Sequence, residues 1–297
     1  MKNADAFSEL HPIVNFLFFA LVIAFSMLLM HPVCLAVSLL SSLAYGERLR
    51  GEKALRLALC ALLPMALLAA IVNPAFSHEG VTMLCYLPSG NPLTLESMLY
   101  GAAAGVMLSA CVMWFSCVNE VITSDKLVYL IGRFVPALSL LLSMALRFFP
   151  RFLRQLRLTS QAQKCLCAEK KESLLHRMRH AVRIFSIVVT WSLENAIETA
   201  DSMRSRGYGL PGRSAFSVFR LDRRDKAVLA WLLFCGAFIL SGVLAGGMAF
   251  RYYPSLRAAP VTPMSAAFFL CYLALSLTPV YFDLREDRKW NALRYEA

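Results

Sequence analysis

The sequence predicts an all-α, polytopic helical membrane protein of about five or six spans carrying a cytoplasmic helical insertion. Three observations carry that prediction. Hydrophobic residues make up 58% of the 297 residues and charged residues only 16%, against roughly 45–50% and about 25% in an average soluble domain. Apolar runs fall at 13–30, 33–45, 54–73, 98–118, 134–146, 227–250 and 261–282, and a run of about 20 residues can cross a hydrocarbon core as a helix. The formal charge of +11 is concentrated, with 16 basic against 7 acidic residues between Arg151 and Lys226.

Each run has its own logic. The first follows a single Lys and leads into a second apolar run without a small-residue cleavage site, so it is expected to stay in the mature protein. Runs 13–30 and 33–45 form a hairpin turning at His31-Pro32 if both cross. The second spans only about 20 Å as a helix, so five crossings with an external N-terminus is the alternative to six. The stretch from Asn73 to Ser97 has no Lys or Arg and reads as external. Arg48, Arg50, Lys53 and Arg56, the insertion, and the tail with Arg285, Arg288, Lys289 and Arg294 read as cytoplasmic. An odd number of crossings must then lie between residues 85 and 151. Run 134–146 is short and bracketed by Arg133 and Arg147, so it is expected to be interfacial or re-entrant. Three segments follow: N-terminal transmembrane helices (1–133), interfacial and cytoplasmic coupling helices (134–226), and C-terminal transmembrane helices with a tail (227–297).

Within the insertion, Arg151, Arg154 and Arg157 recur every three residues among Phe152, Leu153, Leu156 and Leu158, which makes a basic amphipathic helix after Pro150. Such a helix can lie on anionic lipid. Further on, Phe185, Val189, Leu193, Ala196, Ala200 and Met203 form one apolar stripe, expected to pack, beside acidic Glu194, Glu198 and Asp201. Arg204 and Arg206 fall in the last turn, where cations complement the helix dipole. Gly207 suits the left-handed position after a helix.

GYGLPG, from Gly207 to Gly212, matches the G-x-G-x-x-G phosphate pattern in form. That fingerprint needs a strand before it and a helix opening after it. Here a helix closes into the glycines, which argues against phosphate binding. Most of the nine cysteines lie in apolar runs, and Cys165-Leu166-Cys167 lacks further ligands for a metal. No cofactor or metal is implied.

The stretch from Ala200 to Gly209, ADSMRSRGYG, resembles the second signature of the T component of energy-coupling-factor (ECF) transporters, where a small residue, Arg and Gly end a cytoplasmic coupling helix. His11-Pro12, Asn73-Pro74, and Ala145 to Pro150 leading into Gln161-Ala162-Gln163 fall in the order expected of that family. The resemblance implies a non-catalytic scaffold in a bacterial or archaeal cell membrane. Its implied partners are two ATP-binding-cassette ATPases and a membrane-embedded substrate-binding S component, for uptake of a vitamin or a transition-metal ion. It also implies that Ser205, Arg206 and Gly207 dock on an ATPase, with Arg204 beside them. The family's earlier Ala-Arg-Gly triplet is absent. Ala162 to Cys167 stands in its place, with Lys164 as the cation.

Two other classes compete. A membrane-embedded enzyme needs ionisable groups at membrane depth. His78-Glu79 is no zinc motif, and Asp222-Arg223-Arg224-Asp225 reads as solvated anchoring. A secondary transporter is expected to show internal repeats or a buried charge pair, and neither is evident. Nucleic-acid binding is disfavoured because the basic insertion has no interleaved aromatic platforms.

Overall fold

The computed structural model describes residues 5–77, 80–86, 92–166, 174–208, 210, 219–260 and 262–296. It divides into two compact units, Met1–Thr123 with Phe219–Ala297, and Ser124–Val218.

The first unit is a helical bundle with two small hairpins. Helices α1 (Pro12–Leu28) and α2 (Pro32–Arg50) start alike: His11 and His31 accept from the N–H two residues on, each through Nδ1 at 3.3 Å, and Pro follows as the first helical residue. Proline there loses an N–H that has no helical partner anyway. The His31 cap needs a neutral ring nitrogen, and burial holds the His31 pKa below its ordinary value. Helix α2 runs to Arg50, well past the apolar run that ends near 45. Ser38, Ser41 and Ser42 are buried on it with their hydroxyls hydrogen-bonded, and the charged end from Glu47 to Arg50 completes a helix of 19 residues, roughly 28 Å long.

Residues Glu52–Phe76 form one helix, α3 (Glu52–Leu57) and α4 (Leu63–Phe76) joined by a π turn at Ala58–Leu62. Strands β1 (Met83–Tyr86) and β2 (Pro92–Thr94) pair antiparallel. They lead into α5 (Leu95–Val121), capped by Thr94 accepting from the Ser97 N–H. After the second unit, α9 (Arg223–Leu244), the β3/β4 hairpin (Phe250–Arg251, Arg257–Ala258) and α10 (Pro263–Glu296) complete the bundle. Among the described residues four helices are long and apolar enough to cross a membrane: Glu52–Phe76, Leu95–Val121, Arg223–Leu244 and Pro263–Leu293. Pro12–Leu28 is apolar but shorter.

Helix α5 packs on α1, α2 and α4; α10 packs on α2 and α9; α1 packs on α9. Trp114 of α5 is fully buried, edge-on to Phe18 and Phe19. Its indole N–H donates to Ser38 Oγ at 3.1 Å, and Ser38 donates to Ser26 Oγ at 3.1 Å, so one polar chain links α5, α2 and α1. On the other side of α5, Gly101 and Gly105 meet α4. A Cβ at Gly105 would lie 2.7 Å from the Ala66 carbonyl oxygen, and one at Gly101 would lie 2.9 Å from that of Ala69. Small residues four apart let helices approach this closely.

The helices alternate in direction. At one end Tyr45 donates to Asp5 at 2.7 Å, Arg48 pairs with Asp287 at 2.6 Å, Arg50 pairs with Glu120 at 2.7 Å, and the His11 N–H donates to Asp225. At the other end Tyr252 donates to the Met30 carbonyl at 2.9 Å, Ser97 donates to the Ser77 carbonyl at 2.7 Å, and His31 packs on Phe250 and Phe269. The start of α1 therefore shares an end with the end of α2, so the two run as a helical hairpin turning at His31-Pro32. Asp225 corrects the expectation of solvated anchoring. It is buried and forms a capping box with Asp222, because the first N–H groups of α9 and of the α1 entry need an acceptor there.

The second unit contains α6 (Ser124–Phe134), α7 (Pro136–Leu166) and α8 (Leu174–Ser205), with α7 packed on both others. Run 134–146 is continuous with the basic segment, and the basic helix does not start after Pro150. One helix of 31 residues includes both. Pro150 removes a single N–H from the ladder, and enough turns flank it for the helix to continue.

The close α4/α5 contact gives a test. Gly105→Leu should destabilise the detergent-solubilised protein by about 1–3 kcal/mol, the ordinary cost of overpacking, seen as a lowered Tm. An unchanged Tm would mean that α4 does not approach α5 in this way.

Candidate functional site

Helix α8 ends in an ordered tip. The Tyr208 N–H donates to the Met203 carbonyl and the Gly207 N–H to the Arg204 carbonyl, both at 3.1 Å. Gly207 adopts φ +75°. This is the Schellman arrangement, in which a left-handed residue turns two N–H groups back onto carbonyls of the last turn. Ser205 directs its hydroxyl to the Ser202 carbonyl at 2.9 Å. Arg204, Ser205 and Arg206 are exposed, and among the described residues neither arginine forms an ion pair. Two cations thus stand on a fixed turn, beside the negative end of a 32-residue helix.

The turn also bears on the phosphate pattern. Gly207 closes a helix, and the carbonyl end of α8 faces it. Gly209, Pro211, Gly212 and the linker to 218 lie outside the described residues, as do His78, Glu79 and Cys167.

Lys164 is exposed in the last turn of α7, which ends at Leu166. The two positions singled out on sequence therefore share one local setting, the C-terminal turn of a long helix. Arg151, Arg154 and Arg157 are all exposed along α7, with Phe152 and Leu156 turned further inward.

The stripe on α8 departs from expectation. Phe185 is 63% and Leu193 61% exposed, whereas Val188 is fully buried and Ile184, Ser192, Asn195 and Thr199 are half-buried. The inward track lies beside the apolar stripe, because in-helix hydrogen bonds let its polar members turn inward: Ser192 donates to Val188, Asn195 to Trp191 and Thr199 to Asn195, each to the carbonyl four residues back. The apolar stripe is open and longer than the periodicity suggests. Leu175, Met178 and Val182 extend it toward the start of α8 with exposures of 66–68%. The basic residues between 177 and 183 interrupt the apolar count, so the stripe legible in sequence begins only at Phe185.

Asn73 is also better placed than sequence showed. The helix continues through Pro74, and Asn73 Oδ1 accepts from Ser97 at 3.4 Å and from Tyr253 at 3.5 Å. It joins α4, α5 and the segment after β3.

Comparison with known proteins finds similarity to the energy-coupling factor transporter transmembrane protein EcfT of Bacillus selenitireducens. The two are 32% identical over 112 residues, which is 37% of this chain and 42% of that protein. This match supports a T component. The chain spans less than half of that relative's length in the match, and no family model matches. The resemblance of Ala200 to Gly209 to the T-component signature is thus joined by a likeness to a transmembrane protein of such transporters.

The cap can be tested directly. A left-handed backbone costs an L-residue with a Cβ roughly 1–2 kcal/mol. Gly207→Val should therefore speed hydrogen exchange at the Tyr208 amide about fivefold or more, with the middle of α8 unchanged. Equal exchange in both proteins would mean that Gly207 does not hold the turn.

Proposed function

We propose that the chain is the transmembrane scaffold of an ECF-type importer, coupling ATP hydrolysis by two ATP-binding-cassette ATPases to a membrane-embedded S component for uptake of a vitamin or a transition-metal ion. The observation that carries this reading is the Ser205-Arg206-Gly207 tip, an exposed cation on a capped helix end, in a chain similar to EcfT.

The charge pattern supports the orientation. Arg48 and Arg50 lie at the same end of the first unit as Asp225 and Asp287, whereas the Asn73 to Ser97 stretch at the opposite end has no Lys or Arg. By the positive-inside tendency the first end is cytoplasmic. Between Arg151 and Lys226 the chain carries 16 basic against 7 acidic residues, so the same tendency assigns this segment to the cytoplasm. The chain itself is non-catalytic.

The roles divide by chemistry. Arg206 can hold a carboxylate on an ATPase through a bidentate, charge-assisted fork, and Arg204 adds a second cation. Lys164 offers a point charge without a fork, so the α7 contact is the weaker and the two ATPases are bound unequally. The open α8 stripe suits an apolar partner surface, and the S component is the partner that the importer reading supplies.

Arg206→Ala should weaken ATPase binding by about tenfold to a hundredfold, the range for losing a hydrogen bond to a charged group. Lys164→Ala should cost less. Pull-down or calorimetric titration with the ATPase pair reads both. Equal large losses would remove the asymmetry, and uptake that persists with ATP hydrolysis blocked would remove the importer reading.

A further inference from the structure

Between α9 and α10 lies an apolar groove of about 470 Å³ that the importer reading does not use. Ala227, Val228 and Trp231 form one wall; Ala274, Thr278 and Phe282 are on the other. The Thr278 hydroxyl donates to the Ala274 carbonyl at 2.9 Å, so the wall presents almost no polar group. An aqueous or strongly polar ligand has nothing to bond to inside it.

One end of the groove is different. The Arg224 guanidinium sits 5.4 Å from the centroid of the Phe282 ring, so a lining side chain of the groove also holds a cation. Arg223 is exposed beside it, and exposed Arg285 lies within one turn of Phe282 on α10. The nearest carboxylates on α9 are occupied by backbone donors: Asp222 caps the helix, and Asp225 accepts from His11 and Asp222. Of the carboxylates nearby on α10, Asp283 is buried and Glu286 half-buried, against exposed Arg223, Arg224 and Arg285, so the outward charge at this mouth is positive. It also falls where α9 begins and where the apolar run of α10 ends, at 282, which is the level of a membrane surface. From Arg224 to Trp231 the groove reaches roughly 10 Å inward.

We propose that this groove binds one anionic phospholipid, with an acyl chain along Val228 and Trp231 and the phosphate at Arg224. Basic mouths between membrane helices on the cytoplasmic side suit such headgroups. A neutral lipid would gain from the groove but not from the arginines, and the difference is measurable.

Phospholipids with brominated acyl chains quench a tryptophan that they touch. The purified full chain in mild detergent is titrated with brominated phosphatidylglycerol and, separately, with brominated phosphatidylcholine. Saturable quenching is expected with both, at about fivefold lower concentration for phosphatidylglycerol, the preference that one cation near the headgroup provides. Trp231→Phe should remove the quenched component and so assign it. Arg224→Gln should abolish the preference, Arg224→Lys should keep most of it, and Ala274→Phe should block both lipids by filling the groove. Equal quenching by the two lipids, a preference unchanged in Arg224→Gln, or non-saturable quenching would each overturn the proposal. So would loss of the quenching when the chain is assembled with its partner subunits, because another protein's helix would then occupy the groove.

Discussion

Hydrocarbon offers no hydrogen-bond partner, and that constraint organises the first unit. Every polar group taken below the membrane surface must be answered by the chain itself. The links between Trp114, Ser38 and Ser26 do this across three helices, and the hydroxyls of Ser41, Ser42, Ser109 and Ser276 do it within their own helices. Lipid is as apolar as leucine, so helix association here rests on close packing and such bonds. Gly101 and Gly105 supply the closest approach, and the exposed leucines of α4 are left to face lipid.

The same constraint explains where charge is found. Asp5, Arg48, Arg50, Glu120, Asp225 and Asp287 gather at one end of the bundle and take partners there, whereas the opposite end is tied by neutral contacts of Tyr252, Tyr253, Asn73 and His31. The bundle is thus tied at both ends. It offers no cluster of three metal-ligating side chains among the described residues. Its most distinctive chemistry lies in the second unit, where a long helix ends in a rigid turn that displays Arg204 and Arg206. The proposed docking role needs cations in a reproducible position, and the Gly207 cap holds the turn that carries Arg204 and Arg206. The open stripe from Leu175 to Leu193 gives the same helix a second, apolar surface of a different kind.

Composition alone shows a helical membrane protein, because 58% hydrophobic content with long apolar runs leaves few alternatives. The Gly207 cap was equally legible, since a glycine after a cationic last turn has one common backbone explanation. Three features were not. The length of α2 was hidden by Gly46, Glu47, Arg48 and Arg50, which end the apolar run near 45 while the helix continues to the membrane surface. The continuity of α7 was hidden by Pro150, which marks a lost N–H and not a necessary end. The open face of α8 was unreadable because periodicity locates an apolar stripe without saying whether this chain or another covers it. Asp225 shows the converse: its neighbours made it look solvated, yet a backbone N–H from His11, 214 residues away in sequence, needs it.

The central claim is that the α8 tip meets an ATP-binding subunit. A photoreactive amino acid at position 206, introduced into the chain in its native membrane and irradiated, tests it most directly. The account predicts a crosslink to a nucleotide-binding subunit, with a much weaker one from position 285 on the tail. A chain that crosslinks equally from both positions, or that captures no nucleotide-binding protein from position 206, would contradict it.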